Sequence, residues 1–185
     1  MNPSLFQGRL VRLTAEDPAV TAEQFVRSNR DSEYVRLLDN TEARLWSVKK
    51  VKEWLEKGFE KETPATFTFS IRILESDRLI GFVGLGGVQW SQGDAWMGIG
   101  LGDRQDWGKG YGTDALRVLL RYTFTELNLH RVSLGVFEYN PRALRSYEKA
   151  GFRMEGRQRK LYEREGRRWD GIVMGILREE WEQLA

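Results

Sequence analysis

A run of glycines between an apolar segment and an amphipathic helix constrains this chain more than any other feature of its sequence. Residues Gly98 to Leu127 pass from a short apolar segment into a turn and then into a helical pattern. The turn reads Gln105-x-x-Gly108-x-Gly110-Tyr111-Gly112-Thr113. Glycine at alternate positions removes side chains where the backbone must approach another group, and it tolerates unusual dihedral angles. The sequence therefore predicts a tight connection between a strand and a helix, called the glycine-rich turn below (residues 105–113).

The helix that follows the glycine-rich turn is predicted to begin at an anion-binding position. Its apolar residues recur at helical spacing; they are Leu116, Leu119, Leu120, Phe124 and Leu127. The first amides of a helix lack intrahelical partners, and the helix dipole favours negative charge there. Lys109 adds a cation to the same turn. These features indicate a phosphate or pyrophosphate site, although a glycine-rich turn that binds nothing would have the same pattern.

Two common phosphate motifs are excluded by the spacing of the glycines. A P-loop requires Gly-Lys-Ser/Thr, and here Lys109 is followed by Gly110. The dinucleotide fingerprint requires G-x-G-x-x-G, whereas this turn contains G-x-G-x-G. The ligand class is therefore not set by either motif.

Composition narrows the classes of function. The 185 residues suit a single domain over 1–185, and 41% hydrophobic and 30% charged residues are typical of globular proteins. With no cysteine and one histidine, His130, zinc-thiolate sites, cysteine nucleophiles and multi-histidine metal sites are disfavoured, so no metal is expected. The net charge of +2 is too small to predict nucleic-acid binding. No apolar run approaches the ~20 residues of a membrane span, so we expect no membrane partner and a cytoplasmic location.

The order of predicted elements is that of an α+β mixed sheet. Strands are predicted over 8–13, 67–73, 79–88, 95–101, 131–137, 154–162 and 169–177. Helices are predicted from a capping box at Thr21-x-x-Gln24, after Ser47 as N-cap, over 113–127 and over 141–150. Because a helix connects the strands 95–101 and 131–137, those two strands should be parallel.

A second informative block runs from Asn140 to Phe152. Asn140 is a good N-cap, Pro141 suits the first helical position and Gly151 is a good stop signal. The block therefore predicts a short, well-capped helix. Its residues also match the pattern N-x-(R/x)-A-x-x-x-Y-x-x-x-G-F.

Taken with the glycine-rich turn, which fits (Gln/Arg)-x-x-Gly-x-(Gly/Ala), this block makes the sequence resemble the GNAT acetyltransferase superfamily over almost the whole chain. The nearest resemblance is to the RimJ/RimL-type branch, the ribosomal-protein N-terminal acetyltransferases. It implies a GNAT fold: a mixed, mostly antiparallel central sheet flanked by helices, with a V-shaped splay between two parallel strands that admits the pantetheine arm of CoA. A homodimer is a further expectation from the resemblance.

The resemblance also implies an activity, the direct transfer of an acetyl group from acetyl-CoA to a primary amine. A protein N-terminus is the favoured acceptor, and a polyamine, an aminoglycoside or another small amine is an alternative. A module that binds acyl-CoA as a sensor or partner subunit, without turnover, is the alternative from a different class. No signal in the sequence identifies the acceptor.

Site residues follow from the resemblance position by position. Backbone amides of the glycine-rich turn would bind the pyrophosphate, and the preceding strand would bind pantetheine through its main chain and polarise the thioester carbonyl with one N–H. Asn140 would contact the pantetheine arm, and Arg142 or Lys149 would meet phosphates. The implied acetyl-CoA contacts are Ile99, Gly100, Leu101, Gln105, Gly108, Lys109, Gly110, Tyr111, Gly112, Thr113, Asn140, Arg142 and Lys149.

Two residues are predicted to carry the chemistry. Tyr147 would protonate the departing CoA thiolate, although a tyrosine at this position could also be only a packed aromatic. Many relatives carry a glutamate on the strand before the glycine-rich turn, but Trp96 stands in that register here. Glu138 is the substitute candidate for the general base, and a solvated carboxylate at a strand end is its other interpretation. Trp96 could instead wall an acceptor pocket.

Overall fold

A computed structural model of the chain describes residues 4–15, 17–59 and 65–184. Within these ranges the backbone forms seven strands, six α-helices and one 3-10 turn at Arg104–Asp106. The strands are β1 (Val11–Thr14), β2 (Phe67–Ile73), β3 (Leu79–Gln89), β4 (Asp94–Leu101), β5 (Arg131–Phe137), β6 (Arg153–Arg164) and β7 (Arg167–Leu177). The helices are α1 (Pro18–Ser28), α2 (Ser32–Leu38), α3 (Val48–Phe59), α4 (Tyr111–Thr125), α5 (Pro141–Ala150) and α6 (Arg178–Glu182).

All seven strands belong to one sheet, in the order β1-β2-β3-β4-β5-β7-β6. Neighbouring strands are antiparallel except β4 and β5, which are parallel and pair only where Asp94–Trp96 lies beside Arg131–Ser133. Beyond those three pairs the two strands diverge. We call the gap between 97–101 of β4 and 134–137 of β5 the V-shaped opening. The predicted α+β mixed sheet, its parallel pair and its splay are confirmed.

Helix α4 connects the two arms of the V-shaped opening and forms the centre of the core. Its apolar stripe is completely buried, with Leu116, Leu119, Leu120 and Phe124 all 0% exposed. Burial of each such side chain contributes roughly 1.5–3 kcal/mol. This packing fixes the N-terminus of α4 at the carboxyl end of β4, which is the edge where open sheets bind ligands.

The two faces of β4 are covered by different helices. Ile99 and Leu101 direct their side chains toward α4, since both lie within 4 Å of a Cβ built on Gly112. On the other face, a Cβ at Gly100 would lie 2.7 Å from the Phe82 ring, and one at Gly102 would lie 2.0 Å from the Ser28 hydroxyl. Close packing against Phe82 of β3 and Leu38 of α2 therefore requires glycine at position 100, and packing against Ser28 of α1 requires it at position 102, just after β4.

Two boundaries near the N-terminus differ from the predicted ones. Helix α1 begins at Pro18, and its N-cap is Asp17, whose carboxylate accepts the Ala19 amide at 2.6 Å. The predicted capping box at Thr21-x-x-Gln24 is wrong, because it lies inside the helix. Strand β1 begins three residues later than predicted, since the amides of residues 9 and 10 donate to a side chain of α4 rather than to a neighbouring strand.

The sequence did not predict helix α2, whereas it predicted the N-caps of α3 and α5 correctly. Asp31 caps α2 by accepting the Glu33 amide at 3.0 Å. Ser47 accepts the Lys50 amide at the start of α3, and Asn140 accepts the Ala143 amide at the start of α5. No helix in the described ranges is both long and apolar enough to cross a bilayer.

Candidate functional site

Two clefts of similar size meet in the V-shaped opening. The first, the α4 cleft, has a volume of about 660 Å³ and lies between the N-terminus of α4, β4 and α5. The second, the α3 cleft, has a volume of about 640 Å³ and lies between α1–α3 and the sheet. Both are lined by Ile99 of β4 and by Asn140 and Tyr147 at α5. Two molecules bound in the separate clefts would therefore meet beside these residues.

The N-terminus of α4 presents backbone donors to the α4 cleft. Gly108 and Gly110 have positive φ values of 76° and 89°, a region that favours glycine. No side chain caps the helix, and the first intrahelical bond runs from the Asp114 amide to the Gly110 carbonyl at 3.0 Å. The amides of residues 111–113 precede that bond, so they remain available to an anion.

Two ion pairs hold the glycine-rich turn against the rest of the fold. The buried carboxylate of Asp106 accepts both terminal nitrogens of Arg78, at 2.9 and 2.6 Å. This hydrogen bonding raises the pKa of the Arg78 guanidinium. Just before the glycine-rich turn, the Arg104 guanidinium donates to the Asp31 carboxylate and lowers the pKa of that carboxyl to about 2. The turn is thus tied both to the sheet and to the start of α2.

Asp114, in the first turn of α4, builds the opposite wall of the α4 cleft. Its carboxylate accepts three successive amides, from Arg9 at 3.2 Å, Leu10 at 2.8 Å and Val11 at 3.1 Å. Gly8 precedes them because a Cβ there would lie 2.3 Å from the same carboxylate. These bonds place the side chains of residues 9 and 10 at the cleft.

Basic side chains dominate the charged lining of the α4 cleft. Arg142 stacks on the indole of Trp107, with the guanidinium carbon 3.5 Å from the ring centroid, and burial lowers its pKa. The Trp107 indole N–H in turn donates to the Leu101 carbonyl at 2.8 Å. The two lining carboxylates, Asp106 and Asp114, are engaged as described above. The lining cations are Arg9, Arg117, Arg142, Arg145 and Lys149.

Backbone groups of β4 point into the V-shaped opening. The Gly102 amide donates to the Ile80 carbonyl of β3 at 3.0 Å, so that residue directs its backbone groups toward β3. Because successive residues of a strand alternate in direction, Ile99 and Leu101 direct theirs toward the opposite edge. The position of Trp107 at the Leu101 carbonyl agrees with this alternation. The Ile99 N–H is therefore a donor at the junction of the two clefts.

Tyr147 is the titratable side chain at that junction. It lies on α5, is 8% exposed and packs edge-on against Phe152 with 6.0 Å between ring centroids. Burial raises the pKa of its hydroxyl from 10.0 to about 12. The hydroxyl consequently keeps its proton at neutral and mildly alkaline pH, as a general acid must.

The chemistry of the α4 cleft matches a pyrophosphate-bearing ligand: free helix amides, several cations and an unpaired strand edge. The sequence model of the family described as "Acetyltransferase (GNAT) domain" matches residues 9–153, which include every element that builds this cleft. The chain belongs to the GNAT acetyltransferase family.

Known relatives and solved structures of GNAT type resemble the chain. It is 34% identical over 113 residues to the uncharacterized N-acetyltransferase p20 of Bacillus licheniformis, a match that covers 61% of this chain and 63% of p20. It is 36% identical over 166 residues to the probable N-acetyltransferase YjcK of Bacillus subtilis, covering 87% and 83%. The spermidine N-acetyltransferase of Vibrio cholerae, solved with CoA and spermine, superposes with a TM-score of 0.81 at 25% identity, covering 94% and 98%.

GNAT acetyltransferases use acetyl-CoA, and the Vibrio cholerae structure contains CoA. The α4 cleft fits that molecule: the amides of 111–113 and the cations suit its phosphates, and the β4 edge suits the amide groups of its pantetheine arm. Among the described residues, no group of three His, Cys, Asp or Glu side chains could hold a metal ion.

Most of the predicted GNAT site residues lie together in the α4 cleft. Two of the predicted acetyl-CoA contacts, Gln105 and Lys109, are exposed and are not among the residues that line it. The predicted residues that line the α4 cleft are Ile99, Gly100, Leu101, Gly108, Gly110, Tyr111, Gly112, Thr113, Asn140, Arg142, Tyr147 and Lys149.

Glu138, the predicted general base, is not among the residues that line the two clefts. Its carboxylate accepts the Asp170 amide at 3.0 Å and the Arg157 guanidinium at 2.7 Å, and both bonds lower its pKa. A carboxylate with a lowered pKa is a weaker base, so the predicted role finds no support in this geometry. Trp96 is 49% exposed and lines neither of the two clefts, so its place in the wall of an acceptor pocket stays a prediction.

Several lining residues of the α4 cleft had no prediction. Arg145 could have been found, because it lies on the same face of α5 as Arg142 and Lys149, three and four residues away. Trp107 lies within the glycine-rich turn, but no pattern in the sequence indicates that Arg142 stacks on it. Arg9 comes from a segment about 100 residues distant along the chain, so only the tertiary fold brings it to the cleft.

Proposed function

We propose that the chain transfers an acetyl group from acetyl-CoA directly to a primary amine, with Tyr147 as the general acid. A protein N-terminus is the favoured acceptor, in keeping with the RimJ/RimL-type resemblance. The observation that carries the proposal is the meeting of the α4 and α3 clefts at Ile99 and Tyr147. Each cleft can hold one substrate, and direct transfer requires both substrates at one junction.

The α4 cleft is the proposed acetyl-CoA site. When bound, acetyl-CoA supplies the acetyl group as an activated thioester. The amides of residues 111–113 bind the pyrophosphate, with Arg142 and Lys149 as cationic neighbours. The Ile99 N–H donates to the thioester carbonyl oxygen and stabilises the negative charge that develops there.

Tyr147 acts on the sulfur. Attack by the amine nitrogen forms a C–N bond as the C–S bond breaks, and the Tyr147 hydroxyl donates its proton to the departing sulfur. The proton lost by the amine restores the Tyr147 hydroxyl through water. Because burial keeps the hydroxyl protonated up to a pH of about 12, the acid is ready at every physiological pH.

The acceptor is the amine that needs the least help to lose its proton. An α-amine has a pKa of ~7.7–8.0, whereas a lysine-like amine has a pKa of ~10.4. Trp96 carries no carboxylate, and Glu138 lines neither cleft, so neither residue supplies a base at the junction. An N-terminal α-amine is already partly neutral at pH 7.5, so transfer to it can proceed with water as the proton acceptor.

The test is release of CoA thiol from acetyl-CoA, measured with a thiol reagent against a panel of amines. The chain contains no cysteine, so the protein adds no background. Release stimulated by peptides with free N-termini, but not by the same peptides with acetylated N-termini, is the expected result. If CoA binds while no amine stimulates release, the chain is a sensor or partner module and the proposal is wrong.

We also propose a homodimer, as the resemblance implies, and a cytoplasmic location. Light scattering after size-exclusion chromatography should then give twice the mass of the chain, and cell fractionation should recover the protein with cytoplasmic markers. A monomer mass at micromolar concentration would contradict the dimer.

A further inference from the structure

The α3 cleft is walled mainly by rings and aliphatic side chains. Trp54 of α3 lies with its ring centroid 6.3 Å from that of Phe25 of α1, although Trp54 is 63% exposed. An exposed tryptophan at the mouth of a cleft offers apolar area to a bound molecule. The ring-bearing residues that line the cleft, apart from Tyr147, are Phe25, Trp46, Trp54, Phe82, Phe137 and Tyr162.

Charge in the α3 cleft is sparse and mostly compensated. Its charged lining residues within the described chain are Asp39, Glu42 and Arg44. Glu42 pairs with Arg44 at 3.2 Å, which leaves Asp39 as the one carboxylate without a cationic partner among these three. The Lys50 ammonium adds positive charge 4.7 Å above the Trp46 ring. A molecule with three or four ammonium groups would meet only two lining carboxylates of the described chain here, Asp39 and the Arg44-paired Glu42, so part of its charge would have no matching group.

Both arms of the V-shaped opening leave space on this side. Gly98 of β4 and Gly135 of β5 line the α3 cleft, and a Cβ built on either would have no heavy atom within 4 Å. Both have ordinary strand conformations, so neither glycine is required by the backbone. Their effect is to widen the cleft between its aromatic walls.

We infer that the acceptor is a monoamine that carries an apolar, ring-sized group next to its amine, and not a polyamine. The inference rests on the proposed function and specifies its acceptor. The apolar group packs in the part of the α3 cleft lined by Phe25, Trp54 and Phe137, with the amine at Tyr147 and Ile99. The same chemistry is offered by a peptide whose first residue is Phe or Leu and by a free amine such as phenethylamine.

The inference is tested by thiol release from acetyl-CoA with matched acceptors. Two peptides differ only in the first residue, Phe or Gly; phenethylamine and spermidine complete the set. The kcat/KM for the Phe peptide should exceed that for the Gly peptide and for spermidine by at least about tenfold, the discrimination that an apolar pocket provides. Turnover of the Phe peptide without phenethylamine identifies a peptide acceptor. Turnover of phenethylamine but of neither peptide, at least about tenfold above spermidine, identifies a free amine; it supports this inference and contradicts a protein N-terminus as the acceptor.

Variants of the α3 cleft distinguish a loss of acceptor binding from a loss of folding. Trp54→Ala should bring the Phe/Gly ratio toward one, and Gly135→Val, which adds bulk with a residue suited to strands, should lower kcat/KM for the Phe peptide. Both should keep the rise in melting temperature that CoA causes. Trp90→Ala is the control, because Trp90 is 49% exposed but lines neither cleft.

The outcomes distinguish the two proposals. Turnover with equal rates for the Phe and Gly peptides, or a preference for spermidine, overturns this inference and leaves the proposed function intact. An absence of turnover with all four acceptors, while CoA still raises the melting temperature, overturns the proposed function and this inference with it.

Discussion

Tyr147 combines two properties that are seldom found in a packed aromatic side chain: it is almost fully buried, yet it lines both clefts. Tyr147→Phe should lower kcat by about 10²-fold or more, the usual contribution of a general acid. The variant keeps the ring that packs against Phe152, so stability and CoA binding should be unchanged. Steady-state thiol release and the CoA-dependent melting temperature measure the two effects. A variant with full kcat would show that Tyr147 only packs.

With Tyr147 as the proposed general acid, its pKa should set the alkaline limit of activity. The acid must be protonated, and burial moves the loss of its proton from pH 10.0 to about 12. With an N-terminal α-amine as acceptor, kcat/KM should rise as the pH passes ~7.7–8.0 and then stay level to pH 10. A pH profile of the wild-type enzyme measures this. A descending limb that begins below pH 9 would contradict the assignment of Tyr147 as the acid.

At the scale of the element, the turn between β4 and α4 depends on the backbone conformation of Gly110. Its φ of 89° is left-handed, and a Cβ there would lie 3.3 Å from Leu10. Gly110→Ala should lower the free energy of unfolding by about 1–2 kcal/mol and raise the KM for acetyl-CoA, because the amides of 111–113 are displaced. The KM for the amine should stay unchanged. Denaturant unfolding and steady-state kinetics check these expectations.

A matched control for Gly110 lies in β6. Gly156 has no positive φ, and a Cβ built on it meets no atom within 4 Å. Gly156→Ala should therefore leave both stability and the KM for acetyl-CoA close to those of the wild type. Equal effects of the two substitutions would mean that the left-handed turn has no special role in binding.

At the scale of the whole molecule, the α4 cleft is built from segments that lie far apart in the sequence. The segment 9–11, β4, the glycine-rich turn and α5 all contribute, so a ligand in the cleft contacts groups that separate on unfolding. CoA at about 100 times its Kd should stabilise the folded chain by about 2.7 kcal/mol, or ~5–10 °C in melting temperature. Differential scanning fluorimetry measures the shift, and adenosine alone should give a smaller one. No shift with CoA would contradict binding in the α4 cleft.

Local signals explain which parts of the fold could be predicted from the sequence. The strands, α4 and α5 have strong periodicity or complete caps, as in Asn140-Pro141 with Gly151 after the helix. The predicted start of α1 is too late because its true N-terminal signal, Asp17-Pro18, precedes the apolar residues of the helix. Helix α2 is only seven residues long, too short for a clear apolar stripe, and it is held by Asp31 and its partner Arg104.

The residues of the candidate site also divide into those that a local motif predicts and those that it does not. Residues within the glycine-rich turn and α5 were predicted because the motif places them close together in the sequence. Gln105 and Lys109 belong to the motif but do not line the cleft, and Glu138 follows β5 yet bonds to Arg157 and Asp170 and lines neither cleft. Spacing along a chain gives no direction to a side chain in a turn or at a strand end.

Local patterns in the sequence specified the seven strands, the helices α4 and α5 and the glycine-rich turn between β4 and α4, because these depend on residues near each other in the chain. The packing of distant segments set where β4 and β5 separate, brought two clefts together beside Tyr147, and made the α3 cleft aromatic with little net charge. Those properties arise where segments from residues 25, 54, 98 and 137 converge. Such convergence depends on how the helices pack across the sheet, which no local pattern specifies.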